Sequence, residues 1–371
     1  MQKKIVFFYL FLSALLTSEL CSTENFYNLD YEKDNLTTIQ KVWTYKSGYF
    51  ADSQTKPISY DDKIIHLDGH KNLHTISIET GKLICKNIGK IKDGSPYRGL
   101  SLYKKSENEV YAVFPRNNNI ILINIHDCKQ KILRNKIVQN NLYAKILINN
   151  NIAILLPNGS KPQAYNLDTG KLIWNAKIST QDKKKLIKFN RSKKFYWDVW
   201  GGGVIDKDLN QIIFSTANAK PAYDSRGRGG PNLFYNSIVS LNLKTGEYKW
   251  HFQEIEHDVL NLDLASPPVL FNKSNEHFLI QATKYGQLII LDRKNGKSTE
   301  NYVEKIFFHD KKKNFTKIKS FKTWQKFSKN NFNINDFNNL NKDYENLSKK
   351  IISKSLIKDY SSLKENINYI H

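Results

Sequence analysis

The sequence predicts an all-β fold, a β-propeller of four-stranded blades, and three observations carry that prediction. A strand and turn unit recurs along the chain, its turns fall about 40 to 50 residues apart with one wider step, and a tryptophan follows the turn glycine at the same offset in two of the units. Each unit is an alternating apolar run, a polar or acidic residue, Thr-Gly or Asn-Gly, and a Lys or Glu that starts the next strand. The copies occupy residues 73–82, 163–174, 238–250 and 288–297, with turn glycines Gly81, Gly170, Gly246 and Gly296. A degenerate copy follows the strand at 120–125 and carries His126-Asp127-Cys128-Lys129 at the turn.

Glycine at a fixed place supplies the positive φ of a hairpin turn, and period-two alternation lays one apolar face inward. The spacing suits one four-stranded blade per repeat better than an immunoglobulin-like sandwich. Trp174 and Trp250, four residues beyond Gly170 and Gly246, are placed to wedge between adjacent sheets, where a large flat side chain buries much area at modest entropy cost. Both are read as structural. About five such blades are expected over residues 23–301.

The two ends differ from this middle. Lys3 and Lys4 precede an apolar run at 5–16 that ends in small and polar residues, the pattern of a secretory signal peptide over residues 1–22. The run is about 12 residues, short of the roughly 20 that a spanning helix needs, so a periplasmic or secreted mature chain without a transmembrane helix is expected. Ser18-Glu19-Leu20 ahead of Cys21 lacks the small residues that lipid attachment favours. From about residue 302 to 371 the chain turns charged and Asn-rich without strand alternation. Within it, Leu340, Tyr344, Leu347, Ile351 and Leu356 recur mostly at three to four, which predicts an amphipathic C-terminal helical segment.

A net charge of +22 invites a nucleic-acid reading, but Lys and Asn are spread along the whole chain rather than gathered into a stripe with interleaved aromatics. Nucleic acid is therefore not expected as a partner. Cys85 and Cys128 lie in separate strand-like segments with no CxxC and no neighbouring His ligand. Neither a metal site nor a redox pair is indicated, and buried free thiols are expected.

A long ordered run then carries a family resemblance. It comprises Trp200-Gly201-Gly202-Gly203, Ser215-Thr216-Ala217-Asn218, Asn232-Leu233-Phe234-Tyr235-Asn236-Ser237, Trp250-His251-Phe252-Gln253, His257-Asp258-Val259-Leu260-Asn261-Leu262-Asp263, Pro267-Pro268 and Ala282-Thr283-Lys284-Tyr285-Gly286. In order and spacing this resembles the pyrroloquinoline quinone (PQQ) dependent quinoprotein dehydrogenases, most nearly the membrane glucose dehydrogenase branch. The resemblance implies a quinoprotein-type eight-bladed propeller holding PQQ and a calcium or lanthanide ion, and oxidation of a sugar or alcohol hydroxyl by hydride transfer. It implies that Trp200 lies flat against the quinone, that Arg98, Lys284 and Gln54 contact the cofactor, and that Asn218 and Asp263 are metal ligands, hard cations taking oxygen donors. A quinone or cytochrome would accept the electrons. The three glycines beside Trp200 are expected to let a flat group approach the backbone.

Two departures bear on catalysis. The position matching the family's carboxylate base is Asn261, and a neutral amide has no titratable state with which to accept a proton, unless Asp263 or Asp258 substitutes. The loop 157–163, where the family places a Glu ligand, offers no acidic residue. The matched helical stretch is also normally followed by three more blades, so a truncated, inactive protein, or one completed by a second chain, is expected. The rival reading is a non-catalytic periplasmic propeller that scaffolds or binds other proteins.

Overall fold

The computed structural model describes residues 41–47, 55–89, 97–116, 119–133, 142–191, 193–225, 227–310 and 314–321. The signal-peptide segment, Gln54 and the helical pattern at 335–361 lie outside them. Contacts divide the chain into two compact units, 1–137 and 138–371.

The first unit holds two four-stranded antiparallel meanders. Strands β1 (Ile58–Tyr60), β2 (Lys63–Leu67), β3 (Leu73–Ser77) and β4 (Leu83–Asn87) form blade 1, and β5 (Ser101–Lys104), β6 (Val110–Arg116), β7 (Asn119–Asn124) and β8 (Gln130–Leu133) form blade 2. Alternation puts Ile65, Leu67 and Leu73 of one sheet against Val110, Ala112, Phe114, Ile121 and Ile123 of the other in a common apolar core.

A buried polar network sits inside blade 1. The Asp68 carboxylate accepts from the backbone N–H of His70 and Asn72 and from the Asn72 side chain, each at 2.9 Å, and pairs with His74 Nε2 at 3.2 Å. His74 Nδ1 meets the Tyr45 hydroxyl at 2.7 Å. Burial alone would push the Asp68 carboxyl up; these hydrogen bonds outweigh it and hold it down at about 2. Because the folded value lies below the ordinary one, the stabilisation is complete above about pH 4 and is lost as pH falls towards 2, about 2 kcal/mol in all. Urea midpoints of wild type and Asp68→Asn should therefore differ at pH 7 and converge near pH 2; a constant gap would exclude this source of acid sensitivity.

The second unit carries blade 3, β9 (Leu147–Asn149), β10 (Ile152–Leu155), β11 (Gln163–Asn166) and β12 (Leu172–Asn175), and blade 4, β13 (Gly202–Asp206), β14 (Gln211–Ser215), β15 (Ser237–Asn242) and β16 (Tyr248–Gln253). Blade 5 has β18 (Val269–Lys273), β19 (Glu276–Ala282) and β20 (Leu288–Asp292), with its fourth-strand place reduced to a bridge between Leu291 and Ser298. Between blades 3 and 4 lies a helix, α1 (Thr180–Asn190), capped by the Ser179 hydroxyl accepting from Asp182 N–H at 3.0 Å. With the long loop at 216–236 inside blade 4, this helix accounts for the wider step between the turns at Gly170 and Gly246. Among the described residues, no helix is long and apolar enough to cross a membrane.

The expected tryptophan wedges are present. Trp174, 7 % exposed, lies on Gly246 of the next blade, and Trp250, 6 % exposed, lies on Gly296. A Cβ at either glycine would stand 2.7 Å from the indole Cδ2, and both glycines have positive φ. Each indole N–H donates to the carbonyl three residues before its glycine, Trp174 to Leu243 at 3.1 Å and Trp250 to Arg293 at 2.9 Å. Trp43 repeats the arrangement in blade 1 on Gly81, donating to Ile78 O at 2.8 Å.

Two expectations are corrected. The segment beyond residue 302 begins with a hairpin, β21 (Tyr302–Asp310) and β22 (Asn314–Phe321), and β22 also pairs with β17 (Ile255–Glu256). Lysine hides the alternation here: Lys319 is buried, its ammonium donating to Gln253 O at 2.6 Å and lying 5.6 Å from the Phe252 ring centroid, so hydropathy misses a strand whose charged stems pack as apolar surface. Second, Cys85 and Cys128 are not free thiols but form a disulfide, joining blade 1 to blade 2. Each cysteine looks isolated within its own blade, and only the stacking of blades brings them together.

Candidate functional site

In an antiparallel meander the start of the first strand and the end of the second lie at the same edge. Trp200 precedes β13 and Asn218 follows β14 in blade 4; Asn261 and Asp263 precede β18 and Lys284 follows β19 in blade 5. Four distant stretches of sequence thus meet at one edge of two neighbouring sheets.

Asp263 is the hub. Its Oδ1 accepts from the Asn218 backbone N–H at 2.7 Å and from the Trp200 indole N–H at 3.3 Å, and its Oδ2 pairs with the Lys284 ammonium at 2.5 Å. Lys284 also donates to Asn261 O at 2.9 Å and stands 5.8 Å from the Trp200 ring centroid, within cation–π reach. Asp263 and Asn218 are buried, whereas the Trp200 ring and the Lys284 side chain stay partly open. The site therefore presents a flat indole face beside a cation that a buried carboxylate holds in place.

Supporting groups fix the loops. Asp258 is fully buried, accepting from Leu260 and Leu262 N–H at 2.7 and 2.8 Å and from the Asn236 amide at 3.1 Å. Burial pushes its carboxyl up against these hydrogen bonds. It anchors the backbone around Asn261 and does not face the cluster opening. Next to Lys284, the Tyr285 hydroxyl donates to Glu254, a fully buried carboxyl that burial pushes well above its usual range.

Asn261 has φ of +59°, a left-handed station that Asn tolerates. Its amide Nδ2 donates to the hydroxyl of Tyr223 at 3.2 Å, on the exposed loop after blade 4's second strand. Tyr223 carries no motif and could not have been singled out from the sequence. Arg98 lies half-buried ahead of β5, the same station in blade 2, but in the first unit.

The glycines beside Trp200 are corrected. A Cβ at Gly201 would stand 2.7 Å from the Ala265 backbone and one at Gly203 2.8 Å from Ile213 O, so both are required by the packing of the chain on itself. Only Gly202, at φ +109°, has open space beside it, Pro267 being 3.8 Å away.

The chemistry of the donor set fits a planar anionic group in part and a metal poorly. An aromatic face and an ammonium suit a flat polycarboxylate. A hard divalent ion takes six to eight oxygens, whereas the cluster offers one carboxylate, already engaged through both oxygens, and the amide oxygen of Asn218, whose Nδ2 donates to Ala219 O at 3.0 Å. Among the described residues, no three His, Cys, Asp or Glu side chains group as a metal site.

Residues 132–354 match the family model described as the β-propeller domain of glucose, ethanol and alcohol dehydrogenases that use PQQ. The quinoprotein alcohol dehydrogenase PedH of Pseudomonas putida is 24% identical over 317 residues, 74% of this chain and 52% of that protein. The quinohemoprotein alcohol dehydrogenase of Comamonas testosteroni is 31% identical over 163 residues, 38% of this chain and 23% of that protein. The chain thus spans about half, or less, of the length of these relatives. The crystal structure of the Comamonas enzyme superposes with a TM-score of 0.56 at 20% identity over 70% of this chain and 44% of that one. A europium-containing methanol dehydrogenase gives 0.57 at 14% identity, covering 70% of this chain and 52% of that one.

Proposed function

Because the chain belongs to the PQQ-dependent dehydrogenase family, its propeller blades matching that family's model over residues 132–354, we propose that the Trp200, Asp263 and Lys284 cluster binds PQQ. In this reading the protein serves the oxidation of an alcohol or sugar hydroxyl. The observation that carries it is the convergence of Trp200, Asn218 and Lys284 on one buried carboxylate.

PQQ, when bound, supplies the two-electron acceptor for hydride, chemistry that no side chain offers. The residues supply the rest. Trp200 presents its face for stacking, and its N–H bond to Asp263 fixes the ring plane. Lys284 brings positive charge to an anionic ligand, and Asp263 aims it. Arg98 and Gln54 are assigned to the same ligand on the resemblance alone. Asn218 and Asp263 are the oxygen donors that a calcium or lanthanide ion would take, but the donor set falls short of a metal site. Asn261, standing where the family has its base, holds no proton-accepting group, so proton removal from the substrate is the weakened step.

The glucose-type branch within the family rests on the sequence resemblance as a whole, while the relatives named above are alcohol enzymes. A quinone or cytochrome acceptor, and further blades from a longer polypeptide or a second chain, complete the proposal. A disulfide in the first unit supports an oxidising compartment, in keeping with periplasmic export.

Titration of the protein with PQQ tests the reading. Trp fluorescence should quench to saturation, Trp200→Ala should remove most of that quench, and Lys284→Ala should weaken binding about tenfold, the loss of one charged contact. The amide at 261 favours a second reading, a non-catalytic scaffold, which would leave the fluorescence of all three proteins unchanged.

A further inference from the structure

The disulfide occupies the place of a tryptophan dock. Cys85 stands four residues beyond Gly81, as Trp174 stands beyond Gly170 and Trp250 beyond Gly246. It faces Thr75 of the neighbouring strand just before a register shift, as Trp174 faces Ala164 and Trp250 faces Ser240 before theirs. On the next blade, Cys128 holds the turn position that Gly246 and Gly296 hold, and it has their left-handed backbone, φ +56° against +69° and +72°. Each indole N–H bonds to the carbonyl three residues before its glycine; Cys85 Sγ lies 3.9 Å from Ile125 O, three residues before Cys128. Partner strand, turn station, backbone conformation and facing carbonyl all correspond.

We propose that the Cys85–Cys128 bond is the dock between blades 1 and 2, a covalent counterpart of tryptophan on glycine, and that the pair is a modification site acted on by a disulfide-bearing protein oxidant. Two cysteines cannot fill the volume of an indole, so the junction gives up the buried wedge that holds its neighbours. A cross-link replaces it, restricting the unfolded chain over a separation of 43 residues. It also holds a non-glycine residue in a left-handed station that is otherwise disfavoured.

The step balances as thiol–disulfide exchange. One cysteine thiolate attacks the oxidant's disulfide, forming a mixed disulfide and releasing one oxidant thiol. The second cysteine then attacks the mixed disulfide, closing the 85–128 bond and releasing the other thiol. The protein loses two electrons and two protons, and the oxidant gains them. The first two blades then lock together only after oxidation, whereas the junctions held by Trp174 and Trp250 need none.

The test compares three full-length proteins by thermal unfolding with and without dithiothreitol, with peptide mass mapping of the 85–128 linkage. They are wild type, the pair Cys85→Ser with Cys128→Ser, and the pair Cys85→Trp with Cys128→Gly. Wild type should yield the linked peptide, and reductant or the serine pair should lower its midpoint by on the order of 10 °C. The Trp and Gly pair rebuilds the dock of the other junctions, and should recover at least half of that loss and be indifferent to reductant. Alkylation of both Cys85 and Cys128 in the protein as purified, before any reductant is added, would overturn the proposal. So would a Trp and Gly pair no more stable than the serine pair, including the case in which neither folds.

Discussion

Trp250→Ala is expected to destabilise the protein by about 3–5 kcal/mol, the range for emptying a buried aromatic site. Trp250 is 6 % exposed, and its N–H satisfies Arg293 O. Its neighbours in the core between blades 4 and 5 include Ile213, Leu279, Ile289 and Leu291. Alanine leaves a cavity between two sheets that cannot collapse freely, since strand pairing fixes each sheet. It also removes one of the two hydrogen bonds on Arg293 O, leaving that from the Gln211 amide at 2.8 Å. The reciprocal change, Gly296→Ala, should fail for a different reason: the new Cβ would press into the indole at a φ of +72°. Urea unfolding of the two single variants and the double variant separates the effects. With the indole gone, Gly296→Ala should cost less than it does in wild type, because only the backbone penalty remains. Full additivity would show that the glycine is not there to receive the tryptophan.

Asn261→Asp is expected to raise PQQ-dependent oxidation of an alcohol or sugar by at least about 100-fold, the lower range for a positioned general base. The change is nearly isosteric, and both residues tolerate the left-handed backbone found there. Lys284 already donates to the backbone carbonyl of residue 261, so its positive charge lies near the new carboxylate and favours its ionised form. The hydroxyl of Tyr223, which now accepts from the amide, can donate to a carboxylate instead. Dye-linked oxidation measured at saturating PQQ gives the comparison. Equal rates in the two proteins, with PQQ bound to both, would show that the amide at 261 does not limit proton removal.

Much of the fold was legible because its determinants are local. A turn glycine, an alternating strand and a tryptophan four residues on are read within a dozen positions, and blades 1, 3, 4 and 5 follow them closely. What escaped depends on neighbouring blades. The bond between Cys85 and Cys128 joins residues that look alone in their own strands, although the degenerate turn at Cys128 and the place of Cys85 four residues beyond Gly81 were both in plain sight. The β21 and β22 hairpin escaped because Lys317 and Lys319 stand where a strand reader seeks apolar residues, while their charges answer Glu256 and Glu304. Helix α1 was missed for a similar reason, its lysines masking a short apolar stripe around Leu186.

The site was legible only through the resemblance. Spacing alone gives no reason to join Trp200, Asn218, Asp263 and Lys284; strand topology does, by returning each loop to one edge. The glycine run was read too generously, since Gly201 and Gly203 serve close packing against Ala265 and Ile213. Asp258, considered as a substitute base, is instead a buried loop anchor.

A crystal structure grown in the presence of PQQ decides whether Trp200 and Lys284 hold it. The quinone ring should stack on the Trp200 indole with an anionic or carbonyl oxygen of the ligand on Lys284 Nζ, and Asp263 should stay bonded to the indole N–H. A structure showing PQQ bound elsewhere, or the Trp200 face covered by the chain's own residues at saturating PQQ, would contradict it.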